Sequence, residues 1–326
     1  MTKVGIPRAL NYYQYLPMWK TFFERLGAEV VVSEPTTNAM LASGSGRVVA
    51  ETCLPTKVYC GHVIDLADKC DYLFIPSIRS LEENVYNCSK FLGLPDLIRA
   101  VVPECPPILD IDIDINKGKR ALYSSIYDAG RRFTWNPLKV KEAAAVAWQT
   151  HQEYLASLRE KQLTPPEILG ESSKPLGKMM GAGRYDLTIA VIGHPYNIYD
   201  EHINHRFVKR LRALGVRVVT AEMAREDELN AGTERIVGRP YWTYEDEVVG
   251  AAGHYLHSVV DGVVAMVCFG CGPDSVMIDA VQRYAKQNAR TPFMLITLDE
   301  HTAEAGLITR LEAFLDMLGR RKRAAG

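Results

Sequence analysis

The chain has 326 residues, 47% hydrophobic and 24% charged, with 38 Lys and Arg against 39 Asp and Glu. The formal charge of -1 leaves no basic excess for nucleic acid, and no apolar run approaches the roughly 20 residues a membrane span needs. The length suits two domains, and seven cysteines in a chain that opens without a signal-peptide pattern predict a cytoplasmic protein whose thiols are reduced or metal-bound.

Residues 3–6 read as a strand and 13–26 as an amphipathic helix, with Leu16, Trp19, Phe22, Phe23 and Leu26 on one face and Gly27 as its stop. Residues 28–33 read as the next strand. This strand–helix–strand opening predicts a doubly wound, mainly parallel sheet. A helix over 56–69, a strand over 72–76 and a further candidate strand over 108–113 follow. Pro at the first turn and an alanine-rich, charged run predict one long helix over 137–161. Residues 171–184, rich in Ser, Gly and Lys, read as a linker. It separates an N-terminal α/β domain over 1–170 from a C-terminal one over 185–326.

The second half repeats the grammar of the first. A strand over 186–193 ends in His194-Pro195-Tyr196-Asn197, and a helix over 202–214 and a strand over 216–220 come next. Residues 223–237 read as a charged excursion, Tyr241 to Tyr244 as an aromatic cluster, and 250–258 as a helix. The apolar run 263–268 is a buried strand. After it a helix over 275–287 is expected, capped by Asp274 or Ser275. A strand over 293–298 and a helix over 307–318 close the chain, and Arg320-Arg321-Lys322-Arg323 reads as a solvated end. The openings V-G-I-P-R…L-G-A-E-V-V-V and V-I-G-H-P-Y…L-G-V-R-V-V-T match, so the expected fold is two Rossmann-like domains with a cleft between them. G-x-G-x-x-G is missing from the first turn. Walker A, G-x-S-x-G and H-E-x-x-H motifs occur nowhere.

Cys53, Cys88 and Cys271 each lie in a turn of Gly, Pro or Ser just before a predicted helix. Such turns leave backbone N–H groups free to hydrogen-bond thiolates and sulfides. Thiolates carried one per loop and gathered at a domain cleft can hold an iron–sulfur cluster; equally, free cysteines serve as small buried hydrophobes. Cys60, Cys105 and Cys268 are plausible extra ligands, and Cys70 reads as structural. The single C-x-x-C of Cys268 and Cys271 is a poor zinc signal. His194, Tyr196 and Asn197, at a strand's carboxyl end, and His301, in Asp299-Glu300-His301, can supply protons or merely fix their turns. Lys57 either balances the charge at Cys53 or is a solvated helix residue.

The stretches E-T-C-L-P-T-K…G-H-V-I-D-L, D-Y-L-F-I-P, C-S-K-F-L-G-L-P-D-L-I-R-A, I-G-H-P-Y-N-I-Y-D, F-G-C-G-P-D-S and D-E-H-T-A-E-A-G-L-I-T-R-L-E-A-F-L-D resemble the 2-hydroxyacyl-CoA dehydratase D-component-like superfamily. Within it, they are most similar to the CoA-substrate-specific enzyme activase-related branch. The resemblance implies a [4Fe-4S] cluster held by Cys53, Cys88 and Cys271, one iron left open, and a partner activase that hydrolyses ATP and injects a low-potential electron through its own cluster. It implies dehydratase or reductive chemistry on an acyl-CoA or another small molecule. A sister branch carries an [8Fe-9S] double cubane, for which Cys60, Cys105 and Cys268 would be the further ligands. A non-catalytic cluster carrier is the other alternative, and a homodimer is compatible with all of these. The chain is shorter than dehydratase subunits and shows no segment assignable to CoA binding.

Overall fold

The computed structural model describes residues 1–171 and 184–325. The linker read over 171–184 lies, apart from its two end residues, outside the described residues. By packing the chain forms two compact units. One is Met1–Ala156 with Tyr241–Thr243, and the other is Ser157–Pro240 with Tyr244–Gly326. No described helix is long and apolar enough to cross a membrane.

The first unit contains β1 (Lys3–Ile6), β2 (Glu29–Val32), β3 (Tyr72–Phe74), β4 (Ser77–Ser80), β5 (Ile108–Leu109) and β6 (Asp112–Asp114). Its sheet runs β2-β1-β3-β5, parallel throughout, and β4 pairs with β6 in a separate parallel ribbon. Parallel neighbours need a crossover, usually a helix, and helix Tyr12–Arg25 supplies the first. Its Phe22 and Phe23 are buried, and Phe23 meets Phe74 of β3 edge to face at 5.0 Å.

The second unit contains β7 (Leu187–Ile192), β8 (Val216–Val219), β9 (Gly262–Cys268) and β10 (Phe293–Leu298), in the parallel order β10-β9-β7-β8. Counting only the strands of each four-stranded sheet, both units have the order second, first, third, fourth. The matching openings in the sequence thus belong to one repeated Rossmann-like topology. All seven residues of β9 are buried, as expected of a central parallel strand covered on both faces.

Between second and third strands, each unit inserts a pair of helices in backbone contact. In the second unit these are Glu226–Val237 and Val249–Tyr255. A Cβ on Gly232 would lie 2.1 Å from the Gly250 carbonyl oxygen. In the first unit, Asn38–Ser45 and Leu54–Leu66 meet in the same way through Gly44 and Gly61. Residues 223–237 are therefore no excursion: most of the segment is a packed helix, opened by Glu228 accepting from the Arg225 amide at 2.9 Å.

Two further expectations need correction. The helix predicted over 202–214 begins only at Phe207, because side chains hold the preceding residues in turns. Asp200 Oδ1 accepts from the His202 and Ile203 amides, and Asn204 donates to the Ile198 carbonyl while accepting from the Phe207 amide. The helix after β9 spans Gly272–Asn288 with Cys271 as its N-cap, which moves Asp274 into the first turn and inward.

Candidate functional site

In the second unit the chain leaves β7 on one side for β8 and on the other for β9, so the topological switch point lies between β7 and β9. In open α/β sheets the crevice beyond the strand ends at such a point is the usual ligand position. Gly193, the residue after β7, has φ +140°, and a Cβ there would lie 2.3 Å from the Met266 carbonyl oxygen of β9. Only glycine fits, and it delivers His194 to the strand ends.

His194 is clamped between two carboxylates. Its Nδ1 lies 2.6 Å from Glu247 Oε2 and its Nε2 3.0 Å from Asp274 Oδ1. The three side chains come from the β7 end, the turn Glu245–Glu247 and the first turn of helix Gly272–Asn288. They are 6%, 9% and 1% exposed. Burial on its own would discharge the imidazole, but Asp274 and Glu247 outweigh it and hold the His194 pKa well above the ordinary range. Burial pushes Glu247 up to about 7, against the opposing pull of His194. The Tyr196 ring stacks on the imidazole with centroids 5.1 Å apart. Asn197 is fully buried, and its Oδ1 accepts from the Cys268 thiol at 2.8 Å. Asn197 Nδ2 and Asp274 Oδ2 have no hydrogen-bond partner among the described residues. The strand ends thus carry a buried proton holder beside one unsatisfied donor and one unsatisfied acceptor.

The cysteines separate into two groups. Cys53, Cys88 and Cys271 are the N-cap residues of helices Leu54–Leu66, Ser89–Leu92 and Gly272–Asn288. All three have extended backbone and are half-buried. An N-cap side chain stands beside the amides of the helix's first turn. Cys53 Sγ lies 3.3 Å from the hydroxyl of Thr56, in that first turn. The remaining four are different. Cys60 is buried within a helix and Cys70 donates to the Leu66 carbonyl; burial pushes both thiols up to about 11. Burial also raises the Cys105 thiol. Cys268 is the buried last residue of β9 and donates to Asn197.

Lys57 is 2% exposed and donates to the Ala50 carbonyl at 2.8 Å, one turn after Cys53. Its burial overturns the solvated-residue alternative. His301 lies in the exposed turn after β10, where Asp299 Oδ1 accepts from its amide at 2.8 Å and fixes the turn. The structure brings His194, Tyr196 and Asn197 together at the end of β7. Cys53 and Cys88 belong to the first unit and Cys271 to the second. Among the described residues, no group of three or more His, Cys, Asp or Glu side chains is placed to hold a metal ion.

Residues 3–224 match the family described as CoA enzyme activase uncharacterised domain (DUF2229). The chain belongs to this family. No curated protein matches the chain. The matched span includes Cys53, Cys88 and the His194–Asn197 segment and stops before Glu247 and Asp274.

Glu247 and Asp274 are the site residues that escaped the sequence reading of this activase-domain chain. Glu247 sits in T-Y-E-D-E, a stretch that stood out only for its aromatics. Asp274 stood out only as a candidate helix cap. The available signal was weak: three acidic residues ahead of an apolar, glycine-containing helix, and an acid three places after an N-cap cysteine.

Proposed function

We propose that the chain is an iron–sulfur protein related to the 2-hydroxyacyl-CoA dehydratase D-component superfamily. In this reading Cys53, Cys88 and Cys271 hold a [4Fe-4S] cluster. The observation that carries it is the shared N-cap placement of those three cysteines. The donor set suits the cofactor: thiols are the usual ligands of such a cluster, and these three are half-buried rather than enclosed in the core. When bound, the cluster supplies a one-electron carrier and an open iron for a ligand.

The chain's own residues account for the rest. Lys57, buried one turn along the helix from Cys53, would balance cluster charge. His194 holds a proton between Glu247 and Asp274. Asn197 and Asp274 offer one donor and one acceptor for orienting a small polar ligand. Electrons come from an ATP-dependent activase with its own cluster, and the reaction is a dehydration or reduction of an acyl-CoA or a comparable small molecule.

Anaerobic reconstitution followed by iron and acid-labile sulfide determination tests the reading. About four irons per chain, with a reduced-state EPR spectrum that an acyl-CoA perturbs, is the expected result. A reducible cluster whose spectrum no candidate ligand changes would instead make the chain an electron carrier. About eight irons would indicate the [8Fe-9S] form. A colourless protein without iron sinks the proposal.

A further inference from the structure

The basic cluster near the C-terminus is not merely solvated. Leu318, Arg321 and Lys322 share one face of helix Glu304–Ala325, at spacings of three and four residues. That face borders a pocket of about 270 Å³ at the amino ends of β9 and β10, with Val260, Asp261, Arg290 and Pro292 among its lining residues. Its position is opposite in sense to the switch-point site: it opens where the strands begin.

Two of its cations are anchored. Arg321 donates to the Arg290 carbonyl at 2.9 Å, and Lys322 donates to the Asp186 carbonyl at 2.5 Å. Lys322 also lies 3.6 Å from Asp261 Oδ2, which accepts from the Thr188 amide at 2.7 Å. Lys322 is thus neutralised by Asp261 and by the Asp186 carboxylate, 3.7 Å away. Neither the Arg290 nor the Arg321 guanidinium pairs with a carboxylate among the described residues. Three cations against the two carboxylates of Asp261 and Asp186 leave a local surplus of one positive charge, carried by the two unpaired guanidinium groups. Serving the helix dipole explains basic residues in a last turn. It does not explain Arg290, which is outside that helix, or a concave pocket with Val260, Pro292 and Leu318 as an apolar wall.

We propose that this pocket binds a phosphate-ester dianion. Guanidinium forks match phosphate oxygens in geometry, and a cation already tied to backbone loses less freedom on binding. The apolar wall gives the organic part of an ester a surface to rest on. The chain's overall charge of -1 sets this apart from a general polyanion surface.

Calorimetric titration of the full chain with inorganic phosphate at low ionic strength tests it. Saturable single-site binding is expected, weakened about tenfold or more in Arg290→Ala combined with Arg321→Ala, since charge-assisted hydrogen bonds are the main contacts. Arg283→Ala, an exposed arginine paired with Asp279, serves as the control and should bind like the parent chain. Coenzyme A and dephospho-coenzyme A, which differ by one phosphate monoester, distinguish the sources. Tighter binding of coenzyme A, in competition with phosphate, identifies a cofactor's ester as the ligand; equal binding of the two identifies free phosphate. Unsaturable heats, or a double variant that binds like the parent, overturn the proposal. Neither outcome bears on the cysteines.

Discussion

At the scale of single residues, His194 carries the largest electrostatic commitment in the second unit. A buried ion pair contributes little compared with a well-packed apolar substitute, but removing one partner leaves a buried charge uncompensated. His194→Gln strands two carboxylates, Glu247 and Asp274, and should lower the unfolding free energy by about 3–5 kcal/mol. Asp274→Asn leaves the imidazolium paired with Glu247 and should cost less. Urea denaturation followed by circular dichroism measures both. Equal, small losses would mean that the three groups do not share a charged state. The sequence could not display this cluster. His194 was visible because it ends a strand, but its partner Glu247 is 53 residues away, on the turn ahead of helix Val249–Tyr255, and Asp274 reaches it only because β7 and β9 are adjacent.

At the scale of elements, the repeated glycine contact between helices is the feature most exposed to mutation. Gly232→Ala would place a methyl 2.1 Å from a carbonyl oxygen of the neighbouring helix. Overpacking of this kind costs about 1–3 kcal/mol. It should also displace the turn that carries Glu247, which leads into that neighbouring helix. The expected result is a lower Tm, together with loss of the downfield imidazole NMR signal of His194; a variant as stable as the parent would mean that the helices can separate freely. Elements with strong local signals were legible from sequence. The strand Phe293–Leu298 and the helix Pro137–Lys161 run over the spans predicted for them. Residues 202–206 were misread as helix because Asp200 and Asn204 capture backbone groups that helical periodicity assigns to a helix. The helix at 226–237 was missed because its charged surface masked a buried glycine face.

At the scale of the whole molecule, the buried histidines of the two units respond to pH in opposite senses. In the first unit, burial lowers His62 and His151 to about 4, so the folded state binds their protons less tightly than the unfolded chain does. His62 is held neutral between Ser33 and Thr36, at 2.8 and 2.9 Å. Its contribution is present above the ordinary value of 6.5 and is lost as pH falls from there toward 4. In the second unit, His194 is raised above 6.5 and Glu247 is raised to about 7. There the folded state binds protons more tightly, so stability declines as pH rises through 7 and beyond. Amide exchange, corrected for intrinsic rates, should show the first unit opening more readily at pH 5 and the second at pH 8, below the range in which the buried thiols of the first unit titrate. Parallel changes in both units would contradict the assignment.

The proposed cluster draws its ligands from both units, so iron binding would also couple them. The most direct measurement is iron content after anaerobic reconstitution across seven serine variants, one for each cysteine. Cys53→Ser, Cys88→Ser and Cys271→Ser should each lose most of the iron, while substitutions at Cys60, Cys70, Cys105 and Cys268 should retain it. Iron that survives in Cys271→Ser, or that depends on Cys268 or Cys60 instead, would contradict the N-cap set.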